Sequence, residues 1–443
     1  MESIIAMPEY ETYKDSGYAW IGKIPADWEI SRLGACLTPV SVKNHPELPL
    51  LSITRELGVI ERDIEDQESN HNYIPDDLSG YKLLKKGQFG MNKMKAWQGS
   101  YGVSKYTGIV SPAYFIFDFA KAMNPEFFNW AIRSKLYVSY FGSASDGVRV
   151  GQWDLSKTRM KDIPFILPEE KQQELIAKFL DKKTSQIDEA ISIKDQQISL
   201  LKERKKITIQ QAVTQGLDPN VTMKDSGVDW IGKIPEHWCY EPIKYSLKGV
   251  IDCEHKTAPF VDEEDYFVVR TTNVKDGKLT MNDAKFTHER GFKEWTRRGV
   301  PAPGDILLTR EAPAGEACLV PDNMNICLGQ RMVWLKIDRT RLIPEFAISL
   351  IYSTVGRTYI DFLSAGSTVL HFNMSDINNI PVLLPPLNEQ EDLVAFIRQE
   401  SSKIDDIVKI QQNQIDKLKE YKTSLINSAV TGKIKITPEM VEG

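Results

Sequence analysis

The sequence predicts an α+β chain: two tandem globular parts of mixed helix and strand, each followed by a long helix, with the two helices paired. Three observations carry this. "KDSGYAWIGKIPADW" from Lys14 returns as "KDSGVDWIGKIPEHW" from Lys224, identical at eleven of fifteen positions. "IPFILPEEKQQE" at Ile163 is answered 217 residues later by "IPVLLPPLNEQE" at Ile380, and the match runs without a gap to "AVTQG" at Ala212 and "AVTGK" at Ala429. Each second match opens a stretch with apolar residues at alternating steps of four and three. A chain written twice is two copies of one unit. The boundaries that follow are 1–167 globular, 168–216 helical, 217–385 globular and 386–433 helical.

The long segments read as helices from their period. In the first, the spaced positions are Ile187, Ile191, Lys194, Ile198, Leu201, Lys205, Thr208 and Ala212; in the second, Ile404, Val408, Gln411, Ile415, Leu418, Lys422, Leu425 and Ala429. A seven-residue repeat of this kind is a coiled-coil seam, and two matching seams in one chain favour pairing with each other. No proline falls between Glu169 and Gln215 or between Leu387 and Lys433, so each helix can run about 65–70 Å. Pro168 and Pro386 stand where a helix begins, Gly216 and Gly432 where one stops. Lys194, Gln411, Lys205 and Lys422 on the seam either fix register as buried polar groups or lay their stems along it. In the globular parts, "AYFIFDF" from Ala113 and "RMVWLKI" from Arg331 read as buried strands, each followed by a helical stretch beginning "NPEFF" or "IPEFA".

The repeated box spells G-x-x-x-x-G-K, as a phosphate-binding loop does. That loop needs a hydroxyl after the lysine and a helix running on from it. Ile24 and Ile234 stand where the hydroxyl belongs, and Pro25 and Pro235 push the preceding residue out of the helical region. The match is one of spacing alone. Trp20, Trp28, Trp230 and Trp238, which belong to the boxes, read as packing anchors.

Composition narrows the class. A 443-residue chain with 42% hydrophobic and 26% charged residues is globular and holds two or three domains. No run of 18 apolar residues occurs and the N-terminus is acidic, which predicts a soluble, cytoplasmic chain. Five cysteines without a C-x-x-C pair predict reduced, buried thiols and no zinc site. The net charge of −6 hides segregation: residues 56–77 hold eight acids and one arginine, whereas residues 81–112 hold six lysines and no acid. No nucleophile–base motif, metal-ligand spacing or dinucleotide loop is present, and "NPEF" at Asn124 lacks the second proline of an adenine methyltransferase motif. His71, His255 and His288 read as ordinary surface residues.

Assembled in order, the "DSG..WIGKIP..W" boxes, the "IP..LP...EQ" segments and the "KTSQIDEAI…LLKERK…AVTQG" helices resemble the specificity subunits of type I restriction-modification systems. The resemblance covers roughly residues 12–433. "LPEEKQQ" in the first copy departs from the "LPPLxEQ" pattern that "LPPLNEQ" keeps in the second. The resemblance implies a non-catalytic subunit whose two globular target-recognition domains each read half of a split DNA site. It implies that the helices form an antiparallel coiled coil setting the interval between halves, with pseudo-two-fold symmetry. It also implies two modification subunits that bring S-adenosylmethionine, and an optional pair of restriction/translocase subunits using ATP and magnesium; the chain itself holds no cofactor or metal.

Phosphate contacts supply affinity and base-edge contacts supply sequence. In the first domain the acid-free segment offers Lys93, Lys95 and Lys105, with Trp97, Tyr101 and Tyr106 between them, and a glycine-rich turn offers Arg149. In the second, Arg270, Thr272 and Asn273 follow a strand, and arginine and asparagine suit guanine and adenine in the major groove. Arg297, Arg298, Arg310, Gln330 and Arg331 are further candidates, and His371 lies in the "TVLHFN" turn that the resemblance brings toward DNA. For each the competing reading is a surface salt bridge. Two rival functions stay open: a duplicated coiled-coil scaffold that binds only protein, and a self-sufficient nuclease or methyltransferase.

Overall fold

The computed structural model describes residues 4–63, 74–120, 123–145, 155–262, 265–311, 313–364 and 372–442. Packing divides the chain into two compact units, Met1–Asp195 with Gln412–Gly443, and Gln196–Gln411. These differ from the linear boundaries read above because each unit takes half of each long helix into its own core.

The repeated box folds as an antiparallel hairpin, Tyr13–Asp15 with Lys23–Pro25 and Met223–Asp225 with Lys233–Pro235. Gly17 and Gly22, and their counterparts Gly227 and Gly232, sit at φ between 71° and 78°, where a side chain is strained. A strand follows the lysine in both copies, not a helix, so the phosphate-loop spelling has no structural counterpart. The next strand of each copy, Glu29–Arg32 or Cys239–Pro242, pairs antiparallel with the strand just before the long helix, Pro164–Leu167 or Pro381–Leu384. The start and end of each globular part are thereby hydrogen-bonded together.

Each unit is built on a four-stranded antiparallel sheet of the same order. In the first it runs Leu37–Val40, Tyr114–Phe119, Phe89–Asn92, Tyr101–Val103; in the second Leu247–Asp252, Met332–Ile337, Ile306–Thr309, Ala317–Leu319. The two apolar runs picked out as strands, around Tyr114 and Met332, take the same inner place in both sheets. Two short helices follow, Pro125–Ile132 and Lys135–Ser143, matched by Pro344–Tyr352 and Thr354–Ser364. Proline opens the first helix of each pair, pre-set for the helical φ.

The long helices span Glu170–Gln215 and Leu387–Val430. In the first unit Asp188 meets Lys422 at 2.7 Å and Lys194 meets Gln414, so one helix advances as the other recedes. In the second unit Lys205 meets Asp405 at 2.7 Å, and Gly216 lies against Glu389. The helices therefore run in opposite directions within each unit. Every seam position named above is buried or half-buried, while the residues beside them are mostly exposed. The ion pairs Lys205–Asp405 and Lys422–Asp188 are equivalents under the 217-residue repeat, with 27% exposed lysines and 57% exposed aspartates in both. Pairs this exposed contribute about 0.2–1 kcal/mol each. Ile415, Leu418 and Leu425, each at most 3% exposed, carry far more.

Both helix starts carry a buried glutamine that explains the repeated motif. Gln173 donates to Pro168 O (2.8 Å) and accepts from Asn124 N (2.9 Å); Gln390 donates to Pro385 O (2.9 Å) and accepts from Ile343 N (2.8 Å). Each joins the long helix to the start of the first short helix of its unit. The copies differ one residue earlier. Glu389 accepts the Trp238 indole N–H at 3.0 Å and sits 2.8 Å from His237 Nε2. Gln172 stands at the matching place and donates instead to Ile436 O, leaving the buried Trp28 indole beside the Tyr10 hydroxyl with no carboxylate.

The helix-stop glycines face the box tryptophans. Gly216 (φ 76°) lies against Trp238 and Pro235, Gly432 (φ 71°) against Trp28 and Pro25, where an added methyl would stand 2.4 Å from the proline ring. Ala429 and Val430 join the core of Trp28, Phe89, Phe128 and Phe165; Ala212 and Val213 join that of Trp238, Leu335 and Phe346. Two readings are corrected here. Trp230 is 46% exposed, unlike Trp20, which stacks on Tyr140 at 4.2 Å; Tyr359 at the matching place bonds Asp376 O instead. Cys239 is exposed, while Cys36, Cys253, Cys318 and Cys327 are buried and in no disulfide, and burial pushes the Cys318 and Cys327 thiols up to about 12.

Candidate nucleic-acid interface

In the first unit the lysine-rich segment folds as a single turn, Lys93–Gln98, leaving the sheet strand Phe89–Asn92. Asn92 caps it by accepting from Met94 N, and Gly99 ends it at φ 89°. Ala96 is fully buried, which holds the turn down and presents Lys95 to solvent with Lys93 and Trp97 half-buried beside it. Lys105 and Tyr106 are exposed in the loop after Tyr101–Val103, where the Ser104 hydroxyl accepts from Tyr106 N. Lys95 and Lys105 have no ion pair among the described residues. Tyr101, grouped with them in the sequence, is fully buried between Phe89 and Phe141 and belongs to the core.

In the second unit the candidates separate into two groups. Arg270 donates to the backbone oxygen and carboxylate of Asp283, at 2.5 and 2.7 Å, and holds that carboxyl below the usual range. Asn273 is fully buried: it accepts from Arg270 N and gives both amide hydrogens to Thr280 O and Asn282 O. With its amide consumed inside the turn it has nothing left for an adenine edge, which corrects the expectation from residue type. Thr272 beside it is exposed.

The other group surrounds the end of the strand Leu247–Asp252. Arg310 is 7% exposed, bonds both oxygens of Asp252 at 2.8 and 3.1 Å, and donates to Phe372 O at 3.0 Å. Its guanidinium is a buried fastener, again a correction. Arg298 reaches Asp252 O (3.2 Å) and Glu254 (3.9 Å), Gln330 reaches His255 O (3.4 Å), and Arg331, at φ 67°, pairs with Glu311 at 2.9 Å. Arg297 pairs loosely with Glu294 at 3.6 Å. These four are exposed, and exposed pairs of this kind yield readily to a phosphate. Arg149, His371 and His71 lie outside the described residues.

Sequence reasoning missed the loop that gathers this group. His255, set aside as an ordinary surface residue, is exposed at φ 42° and places Nε2 3.0 Å from Asp252 Oδ2. "DCEHK" has no spacing that would have singled it out. His288 caps the helix Glu289–Trp295 by accepting from Gly291 N. Asp252, Cys253 and His255 bring their ligand atoms within 4.8 Å of one another. Asp252 is already held by Arg310, and burial pushes the Cys253 thiol up, so a cation there would have to displace a guanidinium and a proton.

Among the described residues no helix is long and apolar enough to cross a membrane. The type I restriction modification DNA specificity domain family matches residues 244–420. The chain is 23% identical to the MjaVIII type I restriction enzyme specificity subunit of Methanocaldococcus jannaschii, over 94% of each protein. Its fold is similar to a chain solved in work on complex assembly and conformational transition of the type I R-M system, with TM-score 0.70, 14% identity and coverage of 93% of this chain and 99% of that one. It is also similar to the HsdS subunit of Thermoanaerobacter tengcongensis, with TM-score 0.56, 15% identity and coverage of 95% and 99%. With the doubled boxes, the paired helices and a matching domain over residues 244–420, the chain is similar in sequence and fold to the type I restriction-modification specificity subunits.

Proposed function

We propose that this chain is the sequence reader of a type I restriction-modification complex. Each unit recognises one half of a bipartite, asymmetric DNA target. The observation that carries the reading is a contrast within the repeat. Strand order, seam, buried glutamine and helix-stop glycine are the same in both units, while the exposed polar residues around each sheet differ in kind and place. A shared frame with unlike faces suits two unlike half-sites. The helix pair, with its 217-residue equivalence, is read as a pseudo-two-fold antiparallel coiled coil that fixes the interval between them.

In this reading the chain performs no chemistry itself. Nearly the same helix surface occurs twice, which suits two modification subunits that use S-adenosylmethionine to methylate adenine, and in some assemblies two restriction/translocase subunits that use ATP and magnesium. Mapping methylated adenines in DNA from cells carrying this chain and its modification subunit tests the whole proposal. A split motif of two unlike halves is the expected result. DNA left unmethylated, or methylated without a motif, would leave the protein-only scaffold as the better description. Turnover by the purified chain alone would point to a self-sufficient enzyme.

A further inference from the structure

In both units one residue at the C-terminal end of the first short helix fastens a separate hairpin to the sheet. Counting from the matched "NPEFF" and "IPEFA", Arg133 and Tyr352 occupy the same place. Arg133 donates to Tyr101 O at 2.6 Å, and its other nitrogen reaches Arg55 O and Glu56 O at 3.0 and 2.8 Å. Arg55 and Glu56 form the tip of the hairpin Leu51–Thr54 with Gly58–Glu61. The Tyr352 hydroxyl accepts from Ala317 N at 3.0 Å and lies 2.8 Å from Glu316, whose carboxylate accepts Asp276 N at 2.7 Å. Asp276 is at the tip of the hairpin Val274–Lys275 with Lys278–Leu279. Tyr101 and Ala317 are the first residues of corresponding sheet strands. The same helix position therefore grips the same strand and positions a hairpin tip in both copies, by unrelated chemistry.

The tips themselves are unlike. The first carries Arg55, Glu56 and Leu57; the second carries Lys275, Asp276, Gly277 and Lys278, with both lysines exposed. Leu57 is 73% exposed, the largest value among the exposed bulky apolar residues of its unit. A lone exposed leucine is ordinary on a surface. This one is held still. Thr54 Oγ1 accepts from Leu57 N (3.1 Å), Gly58 turns at φ 73° with Arg133 3.0 Å from where a side chain would go, and burial lowers the pKa of the Arg133 guanidinium. Desolvating a guanidinium to satisfy three backbone oxygens is costly unless the tip's position matters.

We propose that the hairpin Leu51–Glu61 is a base-reading element of the first domain. Leu57 makes the apolar contact that distinguishes a thymine methyl, with Arg55 beside it and Arg133 as the positioning residue. The inference rests on the DNA-reading function proposed above. Among the described residues Arg55 pairs with its exposed neighbour Glu56 alone, a partner that a base or phosphate displaces easily.

The test uses the full chain, purified with its modification subunit, to select duplexes from a randomised pool. Wild type should return a motif, and Leu57→Ala should return the same motif with one position of the first half blurred. At that position discrimination should fall roughly 5- to 150-fold, with the salt dependence unchanged. Arg133→Met should blur the same position, and the double variant no further one. If wild type selects no motif, the DNA-reading function itself fails. If wild type selects a motif and Leu57→Ala returns it undiminished, the hairpin is not a reader. If Arg133→Met weakens every position alike and lowers the Tm, its role is merely structural and the positioning assignment is overturned.

Discussion

The two copies of the box tryptophan make an instructive pair. Trp238 gives its indole N–H to Glu389, whereas Trp28, equally buried, has no such carboxylate because Gln172 stands there and bonds Ile436 O. Burial is common to the copies; the polar detail around it drifts. The surface loops have gone further. Lys95 and Lys105 project from one sheet, whereas Arg298, Gln330 and Arg331 gather around a strand end of the other. Where apolar packing or an ion pair across the helices decides, the repeat survives; in the loops, where polar groups face water, it does not.

Breaking that comparison starts with the loops. If they neutralise six to ten phosphates, affinity for DNA should drop roughly 10³–10⁵-fold between 50 and 200 mM salt, while the apolar helix pairing is unmoved. A titration that stays flat with salt would sink the loops as a DNA surface. Next is the seam: Leu425→Ala should lower stability by about 2–5 kcal/mol in urea unfolding, against less than about 0.5 for a change at exposed Lys95. A smaller and sharper contrast concerns the tryptophans. Glu389→Leu strands the Trp238 indole and should cost about 1–3 kcal/mol, whereas Gln172→Leu strands no indole and should cost less. Equal losses would show that the difference between copies has no energetic content.

Lys95→Ala and Lys105→Ala should each weaken binding to every sequence alike and reduce the salt slope by about one. Loss confined to particular sequences would recast them as base readers. The smallest effect concerns the Arg270 turn. Arg270 holds the Asp283 carboxyl low, so its contribution is present above the ordinary carboxylate value and is lost as pH falls through the lowered one. Protection of the Thr280 amide against exchange, relative to its intrinsic rate at each pH, should fall on acidification in wild type and should already be low at neutral pH in Asp283→Asn.

Much of the frame was legible because apolar periodicity reports burial directly. Ile187, Ile198, Ile404, Ile415, Leu418 and Leu425, chosen by spacing, are the residues that the structure buries. The strands around Tyr114 and Met332 were legible for the same reason. Residue type was a poor guide to the interface. Asn273 and Arg310 have the chemistry of base readers, yet tertiary hydrogen bonds consume both, and no local pattern reveals a partner as far along the chain as Asp252 is from Arg310. The fastening of a hairpin by Arg133 was equally invisible, since it joins three separate stretches of sequence.

The seal of Gly432 on Pro25 and Trp28, with Lys435 N donating to Pro8 O, has a consequence for synthesis. The first unit cannot complete its core until the segment around Gly432 has been made. At 5–20 residues per second it waits roughly ten to forty seconds while the whole second unit is made. Through that interval Trp28 and Ile24 lack their cover, so a nascent chain cut short near its end would be defective at its beginning.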